Sequence, residues 1–471
     1  FDSIPTIHLT GQVNQSEGKS YADAKIRQKG FQETNIVDMV KPITKYAVKV
    51  TSGKALKEEL TKAYNIAISG RMGPVLIDVP MDVQQEEVGD TIDYKEVVVA
   101  QIPSAEKDRI LQTLKQFFVG AERPVVLFGA GIGLSGSESH FLSWLEKTSI
   151  PFVSSWNGMT YFNHNTKNYY GNIGVYGNRG ANFILQNSDR LLVLGSRLDN
   201  RQRSGNTTNF APLAKVLVLD IDDEELKKYH ADGYESLTVD LSNMYDVFNQ
   251  LQVPVSQNWK KFCNSMKSQY FGTCSSTSAE KYGSLNPYAV VQRINGFIQE
   301  DAVVVADDGA NLCWVFQSFH RSKHNLYTAG GNSPMGYAFP AAIGAAIHLP
   351  NAQIIAFTGD GSMQINIQEF QTVVNHNLNI KLFIMNNYGY GIIKQFQDSY
   401  FESRYEASGS GYSQPDFRAV IEGYGIPVET ISSITDLKKD MFVKSGPVVF
   451  DVQLHPNTLI EPKLEMGNPI H

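Results

Sequence analysis

The sequence predicts an α/β protein whose parallel sheets are spread over about three domains. Its 471 residues are enough for roughly three domains of ordinary size. Short apolar runs at residues 353–358 and 380–385 have the length of buried strands. Between them, Ile367, Phe370, Val374 and Leu378 recur with helical spacing on one face. A strand, a helix and a second strand in this order form a parallel unit.

Changes in composition divide the chain into segments. Residues 1–90 are predicted to be the later part of a first α/β domain, followed by a charged linker near 84–107. Residues 105–255 are predicted to form a second α/β domain, and residues 280–455 a third. Residues 456–471, rich in Pro and polar residues, are predicted to be a tail that folds over the surface.

Individual strands and helices can be placed within these segments. In the first, a helix is predicted at residues 56–68 and a buried strand at 75–79. The second begins with a strand, a glycine-rich turn and a helix start at residues 123–133, with further strands at 190–194 and 215–221. The turn matches the dinucleotide motif only in part, so tight packing of a strand against a helix is the ordinary alternative.

Composition argues against several classes of partner. Lys and Arg number 41 against 48 Asp and Glu, a net charge of −7, and there is no basic run that would attract nucleic acid or an anionic membrane. The longest apolar stretch, at residues 339–349, is too short to span a bilayer. Cys263, Cys274 and Cys313 form no C-x-x-C pair, which favours a reduced, cytoplasmic setting.

Polar residues follow the two strands of the parallel unit in the third domain. Asp360 follows the first strand and Asn387 the second, so both side chains are expected at one edge of the sheet. A carboxylate, an amide oxygen and the carbonyl of Gly389 are ligands suited to Mg²⁺, which also takes phosphate oxygens. Gly359 and Gly361 allow a tight turn, and the amides near Gly361 and Ser362 can then face a phosphate at the helix start. The alternative is a pair of ordinary turns, but two such motifs at this spacing, each after a strand, favour the metal site.

The paired motifs resemble the thiamine diphosphate signature, Gly-Asp-Gly followed at a set spacing by Asn-Asn. Further segments resemble acetolactate synthases and their relatives, and they occur in that family's order: Phe31-Gln32-Glu33 and residues 41–45, 73–80, 195–201 and 330–344. On these residues the chain is identified as a member of the thiamine diphosphate-dependent acetolactate synthase family. The resemblance implies three doubly wound domains: an incomplete pyrimidine-binding domain, a Rossmann-like central domain, and a domain for the diphosphate and Mg²⁺.

The resemblance also implies roles for individual residues. Met335 matches the bulky residue that holds thiamine diphosphate in its bent form, with core filling as the alternative. Asn311 would reach a phosphate oxygen, although together with Asp308 it is also suited to form a helix start. The remaining residues assigned to the cofactor are Ala310, Tyr388, Gly391 and Ile392.

Other assignments concern flavin and substrate. The family's central domain binds FAD through segments like residues 174–177 and 195–199, so Gly195, Arg197 and Asp220 are assigned to a flavin that would be structural rather than redox-active. Many thiamine enzymes keep this domain without flavin, and the sequence leaves the choice open. Gln32 and Arg201 match positions near the substrate, where Arg201 would pair with a carboxylate.

The implied activity is decarboxylation of a 2-ketoacid such as pyruvate and transfer of the two-carbon unit to a second carbonyl compound. Phe396 and Met81 stand where the family often has Trp and Lys, so the acceptor stays open. The catalytic glutamate of the superfamily is expected upstream of residue 1. A homodimer or homotetramer with shared active sites is implied. Two alternatives remain: a 2-ketoacid decarboxylase without ligation, and a non-catalytic binding or regulatory subunit.

Overall fold

The computed structural model describes residues 1–18, 26–89, 102–270, 277–320 and 326–470. The chain forms two compact units, Phe1–Ile102 and Pro103–His471. Cys274 and half of the predicted linker, residues 90–101, lie outside the described residues. None of the described helices is long and apolar enough to cross a membrane.

The first unit contains a three-stranded parallel sheet in the order β1–β3–β2. Its strands are β1 (Ile7–Gln12), β2 (Tyr46–Lys49) and β3 (Val75–Pro80). Its helices are α1 (Ile36–Val40), α2 (Gly53–Ile68) and α3 (Met81–Gln84). Ala63 and Ala67 of α2 belong to one buried cluster with Val75 and Ile77 of β3. The predicted helix and buried strand are therefore confirmed.

The second unit begins with a six-stranded parallel sheet in the order β6–β5–β4–β7–β8–β9. Its strands are β4 (Pro124–Phe128), β5 (Phe152–Ser154), β6 (Tyr169–Asn172), β7 (Arg190–Leu194), β8 (Lys215–Asp220) and β9 (Glu235–Thr238). Its helices are α4 (Ser104–Phe117), α5 (Ala130–Leu134), α6 (Glu138–Thr148), α7 (Arg179–Gln186), α8 (Asn200–Arg203), α9 (Asp223–Lys227), α10 (Tyr245–Gln250) and α11 (Gln257–Tyr270). We call this part the central domain.

A second six-stranded parallel sheet follows in the order β11–β10–β12–β13–β16–β15. Its strands are β10 (Val303–Ala306), β11 (Leu326–Tyr327), β12 (Ile354–Gly359), β13 (Ile380–Asn386), β15 (Val428–Ile431) and β16 (Val448–Gln453), and the short strand β14 (Glu406–Gly411) lies outside this order. The helices are α12 (Thr277–Lys281), α13 (Pro287–Asn295), α14 (Ala310–Ser318), α15 (Ala338–His348), α16 (Asp360–Met363), α17 (Phe370–Asn375), α18 (Gly391–Tyr400), α19 (Phe417–Gly423) and α20 (Asp440–Val443). We call this part the C-terminal domain. Parallel sheets with helices in all three regions confirm the predicted α/β fold.

The predicted helix between β12 and β13 is partly wrong. Instead of one helix, the chain forms α16, a 3₁₀ segment at Gln364–Glu369 and then α17. Asn366 interrupts the helical backbone with φ −128° and ψ 29°, and its side chain donates a hydrogen bond to Gly336 O at 2.6 Å. This break rotates the following turn, so Val373 is buried while Val374 is 39% exposed.

The C-terminal tail is packed more deeply than the sequence suggests. Ile460 and Ile470 are each only 1% exposed. Gln395 of α18 accepts from the backbone N–H of Ile460 at 3.0 Å and donates to its carbonyl at 2.9 Å. Ile470 belongs to the buried cluster of the central domain. The tail therefore joins the cores of the central and C-terminal domains.

Candidate active site

Asp360 lies where β12 passes into α16. Its side chain is 1% exposed. The Oδ2 atom accepts hydrogen bonds from the N–H of Gly389 at 2.9 Å and from the hydroxyl of Tyr412 at 2.8 Å. Strand register explains the meeting with Gly389, since Gly359 of β12 pairs with Met385 of β13. The two motifs identified in the sequence therefore meet at one edge of the sheet.

Three oxygens converge beside this carboxylate. Asn387 Oδ1 lies 3.2 Å from Asp360 Oδ1 and 3.0 Å from the carbonyl oxygen of Gly389. After a half-turn, the amide would instead donate N–H hydrogen bonds to both oxygens. Ligand oxygens around an octahedral Mg²⁺ lie about 3 Å apart. The same three atoms therefore have the chemistry and spacing of one face of a magnesium site.

The electrostatics of Asp360 also favour a cation. Burial raises the pKa of its carboxyl to about 6, although the hydrogen bonds from Tyr412 and the backbone act in the opposite direction. Among the described residues, no Lys, Arg or His pairs with this carboxylate. A buried carboxylate without a positive partner is costly. A divalent cation at Oδ1 would remove that cost.

The donor set indicates which kind of metal fits. Within the described ranges, no group of three or more His, Cys, Asp or Glu side chains could hold a metal. The site around Asp360 relies instead on one carboxylate, one amide and one backbone carbonyl. Such hard oxygen donors suit Mg²⁺, which takes its remaining ligands from phosphate or water.

The residues predicted for the diphosphate surround this oxygen cluster. Gly361 and Ser362 are buried in the first turn of α16. A Cβ atom on Gly391 would lie 2.3 Å from Asn387 Nδ2, so only glycine fits there unless the amide moves. Ala310 is 9% exposed at the start of α14.

Asn311 is engaged differently from the prediction. Its Nδ2 donates to Asp308 O at 2.7 Å, which matches the alternative of a helix-start contact, while its Oδ1 is buried without a hydrogen-bond partner. The side chain still adjoins the site, because Nδ2 lies 3.6 Å from where a Cβ on Gly359 would be. A role at the phosphate stays a prediction.

Met335, Tyr388 and Ile392 are more exposed than the oxygen cluster. Met335 is 37% exposed and precedes Gly336, which has a left-handed φ of 81°. Tyr388 is 43% exposed with φ 55°, and its hydroxyl donates to Gln453. Ile392 is half-buried in the first turn of α18. The propping role of Met335 stays a prediction.

Sequence reasoning gave Asp307 no role, yet it fixes three segments of the C-terminal domain. It is fully buried at the end of β10. Its Oδ1 accepts from the N–H groups of Asp308, Gly336 and Tyr337, and its Oδ2 accepts from the hydroxyl of Thr358. Burial raises its pKa to about 6. Asp307 thus ties the loop containing Met335 to the end of β12.

Arg201 and Gln32 lie in different units of the chain. Arg201 is exposed, and its guanidinium carbon lies 6.0 Å from the ring centre of Trp156. Burial raises the pKa of the nearby Asp308 carboxyl, while Arg201 lowers it. Gln32, in the first unit, is exposed with a left-handed φ of 66°. Such strain in a non-glycine residue often marks a functional position.

In the central domain, backbone N–H groups of the glycine-rich turn and of Gly195 are hydrogen-bonded within the chain. The N–H groups of Gly129 and Gly131 donate to Leu194 O and Gly195 O, each at 2.9 Å. The N–H of Gly195 donates to Leu219 O at 3.0 Å. These amides therefore do not face a diphosphate.

A tyrosine side chain also packs against the glycine-rich turn at residues 129–133. A Cβ on Gly133 would lie 1.9 Å from the ring of Tyr161, which rests directly on the turn. Arg197 uses its carbonyl to accept from Lys228 Nζ and the Tyr229 hydroxyl, and Asp220 Oδ1 accepts from the N–H of Asp222 at 3.0 Å. The glycines serve close packing, which was the alternative interpretation.

Sequence profiles of two domains match the chain. The profile of the thiamine pyrophosphate enzyme C-terminal TPP-binding domain covers residues 307–452. The profile of the thiamine pyrophosphate enzyme central domain covers residues 111–244. Fold and profiles together define the class as thiamine pyrophosphate enzymes.

Curated relatives narrow this class. The acetolactate synthase large subunit of Cyanidium caldarium is 31% identical over 465 residues, which cover 96% of this chain and 77% of that protein. The acetolactate synthase large subunit of Lactococcus lactis is 30% identical over 474 residues, which cover 99% of this chain and 80% of that protein. The large subunit of acetolactate synthase isozyme 2 of Escherichia coli is 28% identical over 460 residues, which cover 96% of this chain and 80% of that protein. This chain belongs to the acetolactate synthase family, as its motifs predicted.

Proposed function

We propose that the chain is an acetolactate synthase-like carboligase dependent on thiamine diphosphate and Mg²⁺. It would decarboxylate a 2-ketoacid, with pyruvate as the first candidate, and transfer the two-carbon unit to a second carbonyl compound. The observation that carries the proposal is the buried carboxylate of Asp360, which pairs with no Lys, Arg or His among the described residues and faces two further oxygens at metal-ligand spacing.

The chain's own residues would hold the diphosphate and its cation. Asp360, Asn387 and the carbonyl of Gly389 would ligate Mg²⁺, and the amides near Gly361 and Ser362 would bind phosphate oxygens at the start of α16. Thiamine diphosphate, when bound, supplies the chemistry of decarboxylation and two-carbon transfer.

The other assigned residues would position cofactor and substrate. Met335 would support the bent form of the cofactor, since the next residue, Gly336, is anchored by Asp307. Arg201 would bind a substrate carboxylate, because its guanidinium is exposed. Gln32 would hydrogen-bond the ketoacid.

Product analysis tests the proposal. Purified protein with thiamine diphosphate and Mg²⁺ is given pyruvate alone and pyruvate with a second ketoacid or an aldehyde. A hydroxyketone or acetolactate product, lost when either cofactor is omitted, is expected. Acetaldehyde with no ligation product would identify a decarboxylase instead. Mg²⁺-dependent cofactor binding with no product would identify a binding or regulatory subunit.

We propose that the central domain works without flavin. Support comes from the turn amides bonded within the chain and from the ring of Tyr161 against Gly133. We also propose a homodimer or homotetramer with shared sites, as the family's layout implies. A cytoplasmic location is proposed because Cys263 and Cys313 are buried free thiols.

A further inference from the structure

Tyr412 contacts the metal-site carboxylate from a part of the chain outside both signature motifs. It follows β14, and its hydroxyl donates to Asp360 Oδ2 at 2.8 Å. The N–H of Gly389 donates to the same oxygen at 2.9 Å. Two donors therefore occupy Oδ2, while Oδ1 faces Asn387.

The position of Tyr412 is fixed by its neighbours. Its ring packs edge-on against Tyr390, with centres 4.9 Å apart and planes at 76°. Gln364 Nε2 lies 3.3 Å from its hydroxyl oxygen, to which it donates. Tyr390 in turn donates its backbone N–H to Ser408 O of β14 at 3.1 Å. The ring contact with Tyr390 and the hydrogen bond from Gln364 thus hold the hydroxyl toward Asp360.

We propose that Tyr412 is a positioning residue that makes Asp360 a one-oxygen ligand and so selects Mg²⁺ over Ca²⁺. This inference rests on the proposed function of the site. Mg²⁺ requires near-ideal octahedral geometry with single-oxygen ligands, whereas Ca²⁺ accepts a carboxylate through both oxygens at longer distances. By occupying Oδ2, the Tyr412 hydroxyl presents Oδ1 alone to the cation.

The test compares Mg²⁺ and Ca²⁺ affinities by isothermal titration calorimetry of the full chain at saturating thiamine diphosphate. Tyr412→Phe keeps the ring contact with Tyr390 and removes only the hydroxyl. Tyr405→Phe is the matched control, because its hydroxyl also donates to a carboxylate, that of Asp398, in the exposed part of the same segment. We expect Tyr412→Phe to weaken Mg²⁺ binding by about 10- to 100-fold, the range typical of losing an outer-shell partner. Ca²⁺ binding should weaken less, and Tyr405→Phe should match the wild type for both ions.

The outcomes separate this inference from the proposed function. If wild-type protein binds no Mg²⁺ in the presence of thiamine diphosphate, the proposed function fails, and the inference fails with it. If the wild type binds Mg²⁺ and Tyr412→Phe weakens both ions equally, the selecting role is overturned while the proposed function stands. Unchanged affinities in Tyr412→Phe overturn it in the same way.

Discussion

The central and C-terminal domains end equivalent pairs of strands in opposite ways. In the central domain the neighbouring strands β4 and β7 are followed by Gly129 and Gly195. The N–H groups of Gly129 and Gly131 donate to Leu194 O and Gly195 O, which joins the two strand ends. In the C-terminal domain the neighbouring strands β10 and β12 lead into Asp307 and Asp360, two buried carboxylates.

The difference shows how one architecture serves two purposes. A parallel sheet supplies the same edge in both domains, where ligands tend to bind. In the central domain the turn amides are consumed by the chain, so the edge is closed. In the C-terminal domain no described Lys, Arg or His pairs with the buried carboxylate of Asp360, and we propose that a cation binds at this edge. Function follows from the residues after each strand rather than from the fold.

The largest effect on cofactor binding is expected from removing the charge of Asp360. Asp360→Asn keeps the shape of the side chain but removes its charge, so Mg²⁺-dependent binding of thiamine diphosphate should weaken by more than about 100-fold, beyond the usual cost of losing an outer-shell partner. Calorimetry measures this directly. Asp240→Asn, in the turn after β9 of the central domain, is the control and should bind normally. Unchanged affinity in Asp360→Asn would refute the metal assignment.

Asp307 should make stability depend on pH. Its folded pKa of about 6 lies above the ordinary 3.8, so the folded state holds the proton more tightly. Stability should therefore fall as pH rises from about 4 to about 6, by up to ~3 kcal/mol for this group.

The variant Asp307→Asn isolates that effect. Its Oδ1 can still accept from three backbone N–H groups, and Thr358 can turn its hydroxyl toward Gly359 O, 3.3 Å away. The thermal midpoint of Asp307→Asn should exceed that of the wild type by more at pH 7.5 than at pH 5. An equal gain at both values would show that Asp307 is not the titrating group.

Each of the two domains has a glycine packed against a tyrosine ring, which allows a further comparison. A Cβ would lie 1.9 Å from the Tyr161 ring at Gly133 and 2.3 Å from the Tyr390 ring at Gly361. Either alanine variant should cost about 1–3 kcal/mol of stability by displacing a ring.

Only one of the two variants should affect the cofactor. Gly361→Ala should also weaken Mg²⁺ and thiamine diphosphate binding, whereas Gly133→Ala should leave both affinities unchanged. Thermal unfolding and calorimetry measure the two effects. Gly423→Ala, where a Cβ meets nothing within 4 Å, is the control and should lose no stability. Weakened cofactor binding in Gly133→Ala would contradict the view that only the sheet edge of the C-terminal domain binds the cofactor.

The smallest effect is expected from adding FAD to the protein. Because the turn amides of the central domain are already bonded, added FAD should leave the thermal midpoint unchanged and the purified protein should show no visible flavin band. FAD bound at ~100 times its Kd would instead stabilise the fold by about 2.7 kcal/mol. A clear rise in the thermal midpoint on adding FAD would support the assignment of Gly195, Arg197 and Asp220 to a flavin site.

The meeting of Asp360 and Asn387 at one edge of the sheet could be predicted from the sequence, because both residues follow strands. Asp360 and Asn387 are each placed by an apolar run of strand length, and parallel pairing then brings them together. Tyr412 gave no such signal, because a single tyrosine in an irregular segment has no periodicity or spacing to identify it. Its partner is 52 residues away in the chain.

Other differences have local causes. The helical pattern failed at Val374 because Asn366 bonds to Gly336 and breaks the helix, a tertiary contact that periodicity does not report. The glycine-rich turn at residues 129–133 was left open between a ligand and packing. Only the three-dimensional neighbours, Gly195 and Tyr161, separate those interpretations.

The buried tail sets the order in which the molecule can be completed during synthesis. Ile470 belongs to the same apolar cluster as Val125 and Val193, yet the whole C-terminal domain is made between them. As the nascent chain leaves the ribosome amino end first, part of the interior of the central domain stays unfilled until residue 470 has been made. Completion of the central domain therefore follows synthesis of the C-terminal domain.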